Sequence, residues 1–295
     1  MNEADDPLWR HFKPLWLEFA QAGDGILVAG GYGLFLKQQW LLDLESKEIV
    51  IPFERWPSAT PRATGDMDLI VSLDLISDET ANKQLLKALK QQGFEVSSQP
   101  QGKRWKFFKE IGDDRHVVVE LHAPMPEGEP ENLKANRFAV KHKPSLGEQG
   151  VHGRTNQEAI GSEIHPFRFE LDGGNIVVPN PVTWSVMKLT AAEDMWKRSQ
   201  DRQREGKDRT YFRDQAIKHG HDVCRAVAMM TIEERDTSGD VVNAIKDTPQ
   251  FQRASEIYRD FFNGSENWAN EVLAGQWLPE DLDVIHGILG EWFRA

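Results

Sequence analysis

The sequence predicts an α+β fold, a mixed β-sheet with flanking helices followed by a C-terminal helical bundle. Three observations carry this. Short β-rich runs alternate with helical stretches as far as Asn180 and Pro181. Past that point the apolar spacing takes a helical period of 3.6 and keeps it to the C-terminus, and no internal repeat or low-complexity tract interrupts the pattern. A chain of 295 residues is long enough for two packed units, and the change of period divides it at 1–180 and 181–295.

In the first half, Pro7 to Gln21 spaces Leu8, Phe12, Leu15, Trp16 and Phe19 as an amphipathic helix, despite Pro14. Gly25 to Ala29 is a short apolar strand that stops at Gly30-Gly31, and Tyr32 to Leu44 resumes a helical pattern. Pro52, Pro57 and Pro61 make Glu45 to Gly65 a loop, with a short extended piece near Ile49 to Ile51. Met67 to Leu73 reads as a strand, Asp78 to Gln92 as a helix capped by Ser77 or Asp78, and Phe94 to Ser97 as extended. Lys103 to Glu110 and His116 to His122 form a hairpin through Gly112-Asp113-Asp114. Pro124 to Ser162 is loop with one or two short elements, and Phe167 to Leu171 pairs with Asn175 to Val178 around Asp172-Gly173-Gly174. Helices are expected at Thr183–Gln203, Thr210–Met230, Gly239–Lys246, Pro249–Phe262, Asn267–Ala274 and Pro279–Phe293.

Composition excludes several classes. An apolar fraction of 39% with ten Trp and fifteen Phe describes a globular chain, not a disordered one. No stretch reaches the roughly 18 to 20 apolar residues of a membrane span, and the N-terminus lacks the order of a signal peptide, so a cytoplasmic location without membrane association is expected. The single cysteine, Cys224, rules out an intramolecular disulfide and a cysteine zinc cluster. A formal charge of −12 argues against non-specific coating of nucleic acid, while leaving room for a local basic patch. The nine histidines show no H-E-x-x-H or similar zinc spacing.

The residues that point to chemistry are few. Asp66 and Asp68 stand two apart on a predicted strand, so both face one way while Met67 turns into the core. Two carboxylates side by side repel unless a cation neutralises them, and hard oxygen pairs of this kind bind Mg2+. Glu120, between Val119 and Leu121 in another strand, is a charge that needs a partner and would complete a two-metal arrangement. Gly30 and Gly31, at a strand end ahead of a helix, let backbone N–H groups approach anionic oxygens. Each feature has a plainer reading: a tight turn for the glycines, a cap at the strand start for Asp66, the solvent face of an edge strand for Glu120.

The ordered set, Gly30-Gly31, then R-A-T-G-D-M-D-L-I-V (Arg62 to Val71), then V-V-E-L (Val118 to Leu121), resembles the nucleotidyltransferase superfamily with its polymerase-beta-like core. Met187-Lys188-Leu189 and K-H-G-H-D-V-C-R-A-V-A-M-M (Lys218 to Met230) are similar to its AbiEii group, the nucleotidyltransferase toxins of toxin–antitoxin and abortive-infection systems. The resemblance spans about Gly30 to Met230. It implies two Mg2+ or Mn2+ ions held by Asp66, Asp68 and Glu120, a nucleoside triphosphate bound between the domains, Lys188 and Lys218 on its phosphates, and Asp222 supporting or performing proton transfer. It also implies tRNA or another RNA 3′ end as acceptor and an antitoxin or defence partner. Synthesis of short oligonucleotides, nucleotidylation of a protein, and a non-catalytic nucleotide-sensing module are the alternatives.

Asp214, Lys218 and Asp222 also make one polar stripe by spacing alone, which a solvated face with ion pairs would share. Two departures from the family stand out: a long gap from Gly31 to Asp66, whose inserted Leu42 to Pro61 would serve as a lid or acceptor-binding loop, and Tyr32 where relatives carry a small residue. Lys103 to Lys109 alternates basic and aromatic residues, able to neutralise phosphates and stack bases, or to pack Trp105 and Phe107 inward as an amphipathic strand. The second reading is preferred. The basic run Lys197 to Arg209 is broken by Asp201, Glu205 and Asp208 and reads as a solvated face.

Overall fold

A computed structural model describes residues 6, 8–20, 25–44, 48–58, 65–97, 104–112, 115–124, 150–201, 203, 205–263, 267–268, 273 and 276–294. The chain divides into a sheet unit (1–40, 62–159, 166–179) and a helical unit (41–61, 160–165, 180–295). The fold is α+β, with a mixed sheet, flanking helices and C-terminal helices.

In the sheet unit, α1 (Trp9–Phe19) precedes β1 (Ile26–Ala29) and α2 (Gly30–Leu42); β2 (Asp66–Val71) leads through the short α3 (Leu73–Ser77) into α4 (Glu79–Gln91). Then come β3 (Glu95–Val96), β4 (Lys106–Glu110), β5 (His116–Ala123) and β6 (Arg154–Thr155). The strand order is β1-β2-β5-β4-β3, with β6 paired to β5 beyond the end of β4. Among the described strands of this sheet, β2/β5 and β5/β6 are parallel and the other pairs antiparallel. Alternation along the strands gives the sheet one apolar face: Met67, Leu69, Val71, Phe107, Val117, Val119, Leu121 and Ala123 are all buried. The helices supply their own signals. Ser72 accepts from Leu75 N to start α3, and Asp78 accepts from Ala81 N to start α4.

A buried asparagine fixes where β6 begins. Asn82 donates to the carbonyls of Ile76 and Val151, and its own carbonyl accepts from Val151 N at 2.7 Å. A Cβ on Gly150 would lie 1.8 Å from Asn82 Oδ1, so only glycine lets the chain pass there. Around α1, Phe12 meets Tyr32 edge-on, and the Tyr32 hydroxyl donates to Asp6 at 2.8 Å. The β7 (Phe167–Leu171) and β8 (Gly174–Val178) hairpin turns on Asp172 and Gly173, both at positive φ, as a two-residue turn of this hand requires.

The helical unit holds α5 (Pro181–Gln200), α6 (Gly206–Ala228), α7 (Ile232–Ile245), α8 (Pro249–Ile257), which runs on as a π-turn to Phe262, and α9 (Pro279–Phe293). Asn180 caps α5 through Thr183 N and ties down the carbonyls of Gly161 and Ile164. Helix α7 begins at Ile232, earlier than the expected Gly239, because Thr231 and Glu234 form a capping box. The helix expected at Asn267–Ala274 lies largely outside the described residues. No helix among the described residues is long and apolar enough to cross a membrane.

The described part of the inserted segment, residues 48–58, packs within the helical unit. Ile49 pairs with Thr231, Val50 N donates to Met230 O and Ile51 N to Ala228 O. Trp56 packs on Trp277, and Arg55 reaches the fully buried Asp281 at 2.6 Å. Backbone pairing and these side chains pin residues 48–58 to the helical unit.

Candidate metal centre

The second face of the sheet carries the charges, and strand register arranges them. Asp68 in β2 is the partner of Glu120 in β5, and Glu120 is in turn the partner of Lys106 in β4. One row further on, Ile70, His122 and Arg154 of β6 stand side by side. Paired residues share a face, so Asp68, Glu120, His122, Lys106 and Arg154 project together.

The distances make this a cluster. His122 Nε2 lies 3.3 Å from Asp68 Oδ1 and 3.8 Å from Glu120 Oε2. Lys106 Nζ donates to Glu120 Oε1 at 2.6 Å. Arg154 comes within 3.9 Å of Glu120 Oε2 while its guanidinium covers the Trp105 ring. One ligand atom each from Asp68, Glu120 and His122 falls within 4.8 Å of the other two, the convergence that a single divalent cation needs. The His122 ring is only 9% exposed and turns Nε2 toward both carboxylates. Two carboxylates and an imidazole fit Mn2+ or another first-row divalent ion, and the oxygens fit Mg2+.

Glycine at position 30 is part of this geometry. Helix α2 starts at Gly30 itself, ahead of the expected Tyr32, with Gly30 at φ +63°. A Cβ there would sit 2.0 Å from Asp68 Oδ2. The carboxylate of Asp68 therefore lies against the first turn of α2, whose backbone N–H groups and dipole favour anions. Gly31 follows in that turn, whereas Tyr32 is turned into the core and takes no part in this face.

Of the carboxylates expected from sequence, Asp68 and Glu120 belong to the converging group. Asp66 shares their face, opposite Val118, but is exposed and outside the converging group, in which His122 stands instead. The signal for His122 is Glu-x-His within one strand, the same two-residue spacing that links Asp66 to Asp68. A search for helical zinc spacings passes over it. Trp105 and Phe107 are both buried, Phe107 on the apolar face and Trp105 beneath the Arg154 guanidinium; Lys103 lies outside the described residues.

Within the helical unit, Lys188 Nζ and Asp222 Oδ2 form a buried ion pair at 2.8 Å between α5 and α6, with Arg225 3.9 Å from the same carboxylate. Lys218 is half-buried and donates to Gln215. The stripe Asp214, Lys218, Asp222 runs from an exposed to a buried position, so it is not a uniformly solvated face.

No protein-family profile matches the chain, and no curated protein matches it. Among solved structures, a crystal structure of an antigenic nucleotidyltransferase-like protein from Paracoccidioides brasiliensis aligns with 78% of this chain and 92% of its own, at 15% identity and a TM-score of 0.30. A score of that size does not define a shared fold.

Proposed function

We propose that this chain is a metal-dependent nucleotidyltransferase that moves a nucleoside monophosphate from a nucleoside triphosphate to an acceptor hydroxyl. The observation that carries the reading is the pairing of Asp68 with Glu120 on adjacent parallel strands, with Gly30 opening a helix against the Asp68 carboxylate. Like charges placed directly opposite one another weaken a sheet, and a divalent ion between Asp68, Glu120 and His122 would offset that repulsion together with Lys106 and Arg154. Magnesium or manganese bound there supplies Lewis-acid polarisation of the phosphate and the acceptor oxygen.

The residues then divide the work. Asp68 and Glu120 give anionic oxygens and His122 a nitrogen, a set that favours Mn2+ over Mg2+. Asp66, on the same face, adds negative charge at the exposed side. The side-chain-free Gly30 and Gly31 leave the first-turn N–H groups of α2 open to phosphate oxygens. The acceptor oxygen bonds to the α-phosphorus, the bond from that phosphorus to the bridging oxygen breaks, and pyrophosphate leaves with the electron pair. The resemblance to the superfamily names Asp222 for the acceptor proton and Lys188 and Lys218 for the phosphates, roles that the buried Lys188–Asp222 pair does not favour for those two residues. Of the two lysines Lys218 is the more accessible, since Lys188 is spent on Asp222. The same resemblance, and nothing else, names tRNA or another RNA 3′ end as acceptor, with a toxin or defence role and an antitoxin partner.

The test is label transfer from each α-32P nucleotide into total RNA, protein or water-soluble oligonucleotide, for the native chain and for Asp68→Ala and Asp66→Ala. Label entering RNA 3′ ends and lost in Asp68→Ala is expected. Undiminished transfer by Asp68→Ala rejects the assignment, and nucleotide binding without pyrophosphate release marks a non-catalytic module.

A further inference from the structure

The two oxygens of Glu120 meet different neighbours. Oε1 accepts from the Lys106 ammonium at 2.6 Å, while Oε2 faces His122 Nε2 at 3.8 Å and Arg154 Nη1 at 3.9 Å. A carboxylate that bridges two divalent ions offers one oxygen to each. Here one of those positions is taken by an ammonium, and the other opens onto Asp68 and His122.

The lysine is held there by the sheet. Lys106 and Glu120 are register partners on antiparallel strands, so their side chains leave the same face about 5 Å apart. The next residue, Phe107, is fully buried on the apolar face, which turns Lys106 to the other one. Its ammonium also lies 5.5 Å from the Phe108 ring centroid. A tethered cation of this kind competes with a dissolved ion at a high effective concentration, and a divalent ion on Oε1 would have to expel it.

We propose that Lys106 takes the place of a second divalent ion on Glu120, so that the chain binds one divalent cation, at Asp68, Glu120 and His122, and provides the second positive charge itself. The proposal rests on reading this group as a cation site.

Mn2+ titration of the purified full chain, followed by electron paramagnetic resonance of the free ion, tests it. The native chain is expected to bind one Mn2+, and Asp68→Ala none. Lys106→Met is expected to bind two, with the first at least about tenfold tighter because a neighbouring positive charge is gone. Lys106→Arg should return the count to one. Arg154→Met removes a charge of the same sign beside the same carboxylate and should leave the count at one, which separates occupancy of Oε1 from a general change of field. If Lys106→Met unfolds, judged by circular dichroism, Lys106→Gln replaces it. Two ions on the native chain, or one on both Lys106→Met and Lys106→Gln, overturns the role of Lys106 while leaving the site intact. No ion on the native chain overturns the cation site itself.

Discussion

Replacing Gly30 with alanine tests the link between backbone and metal centre most directly. At φ +63° an L side chain costs about 1–2 kcal/mol. The new Cβ would lie 2.0 Å from Oδ2, 2.8 Å from Cγ and 2.9 Å from Cβ of Asp68. The carboxylate can rotate away, but the Asp68 Cβ is fixed, because Asp68 pairs with Ala29 on one side and Glu120 on the other. The end of the β1/β2 ladder must part, at a further cost of about 1 kcal/mol for a strained hydrogen bond. A total loss of roughly 2–3 kcal/mol follows, with Mn2+ affinity down about 10- to 100-fold as a ligand loses its support. Gly173→Ala is the control, since it shares a positive φ of +81° but has nothing within 4 Å of the added carbon, and should leave Mn2+ binding alone. Urea unfolding and Mn2+ titration read both quantities. Native-like stability together with native-like Mn2+ affinity in Gly30→Ala would refute the claim that this glycine exists to admit the carboxylate.

Three other outcomes are expected. Asp222→Ala leaves the buried Lys188 ammonium without its carboxylate and should cost about 3–5 kcal/mol in urea unfolding, while Lys188→Met with Asp222→Leu should recover most of it; a single-variant loss under about 1 kcal/mol would contradict the pair. Burial pushes the Cys224 thiol up to about 12, so Ellman's reagent should leave the native chain unlabelled and react fully in urea; rapid native labelling would place the thiol at the surface. Burial lowers the pKa of His286 below its usual 6.5, against a smaller opposing pull from Asp283. The folded state then binds fewer protons than the unfolded one, so this contribution is intact above pH 6.5 and is lost as pH falls from there toward the lowered value. His286→Leu should flatten that part of the stability curve, and an unchanged slope would count against it.

How far the sequence reached depends on what each element needed. Strand positions were legible because β2, β4 and β5 are bounded runs with alternation, and the hairpin at Asp172-Gly173 has the residues its turn demands. Two glycines in succession look like a turn, yet they open α2, and at Gly30 a Cβ would run into Asp68. The T-x-x-E box at Thr231 is a local signal for the start of α7, seven residues ahead of what the apolar spacing alone predicts. Residues 48–58 read as loop, and nothing local says that Ile49 will find Thr231 or that Arg55 will find Asp281. Such pairings are decided by tertiary packing, not by propensity.

The candidate metal centre makes the same point at the level of single side chains. The sequence offered Asp66, Asp68 and Glu120 as equals, but a strand pairing shifted by one residue would have turned Glu120 to the apolar face and left Asp68 without it. The observed register does the opposite: it sets Asp68, Glu120 and Lys106 in one row and His122 and Arg154 in the next. Two carboxylates in direct opposition are unfavourable, and this register sets Lys106 on one oxygen of Glu120 with His122 and Arg154 beside the other. A sheet selected for stability alone would put β-branched residues in those positions, as it does at Val117, Val119 and Val71 on the other face. The charged row is where this sheet departs from an apolar pattern, and within it Asp68, Glu120 and His122 converge closely enough to hold a cation.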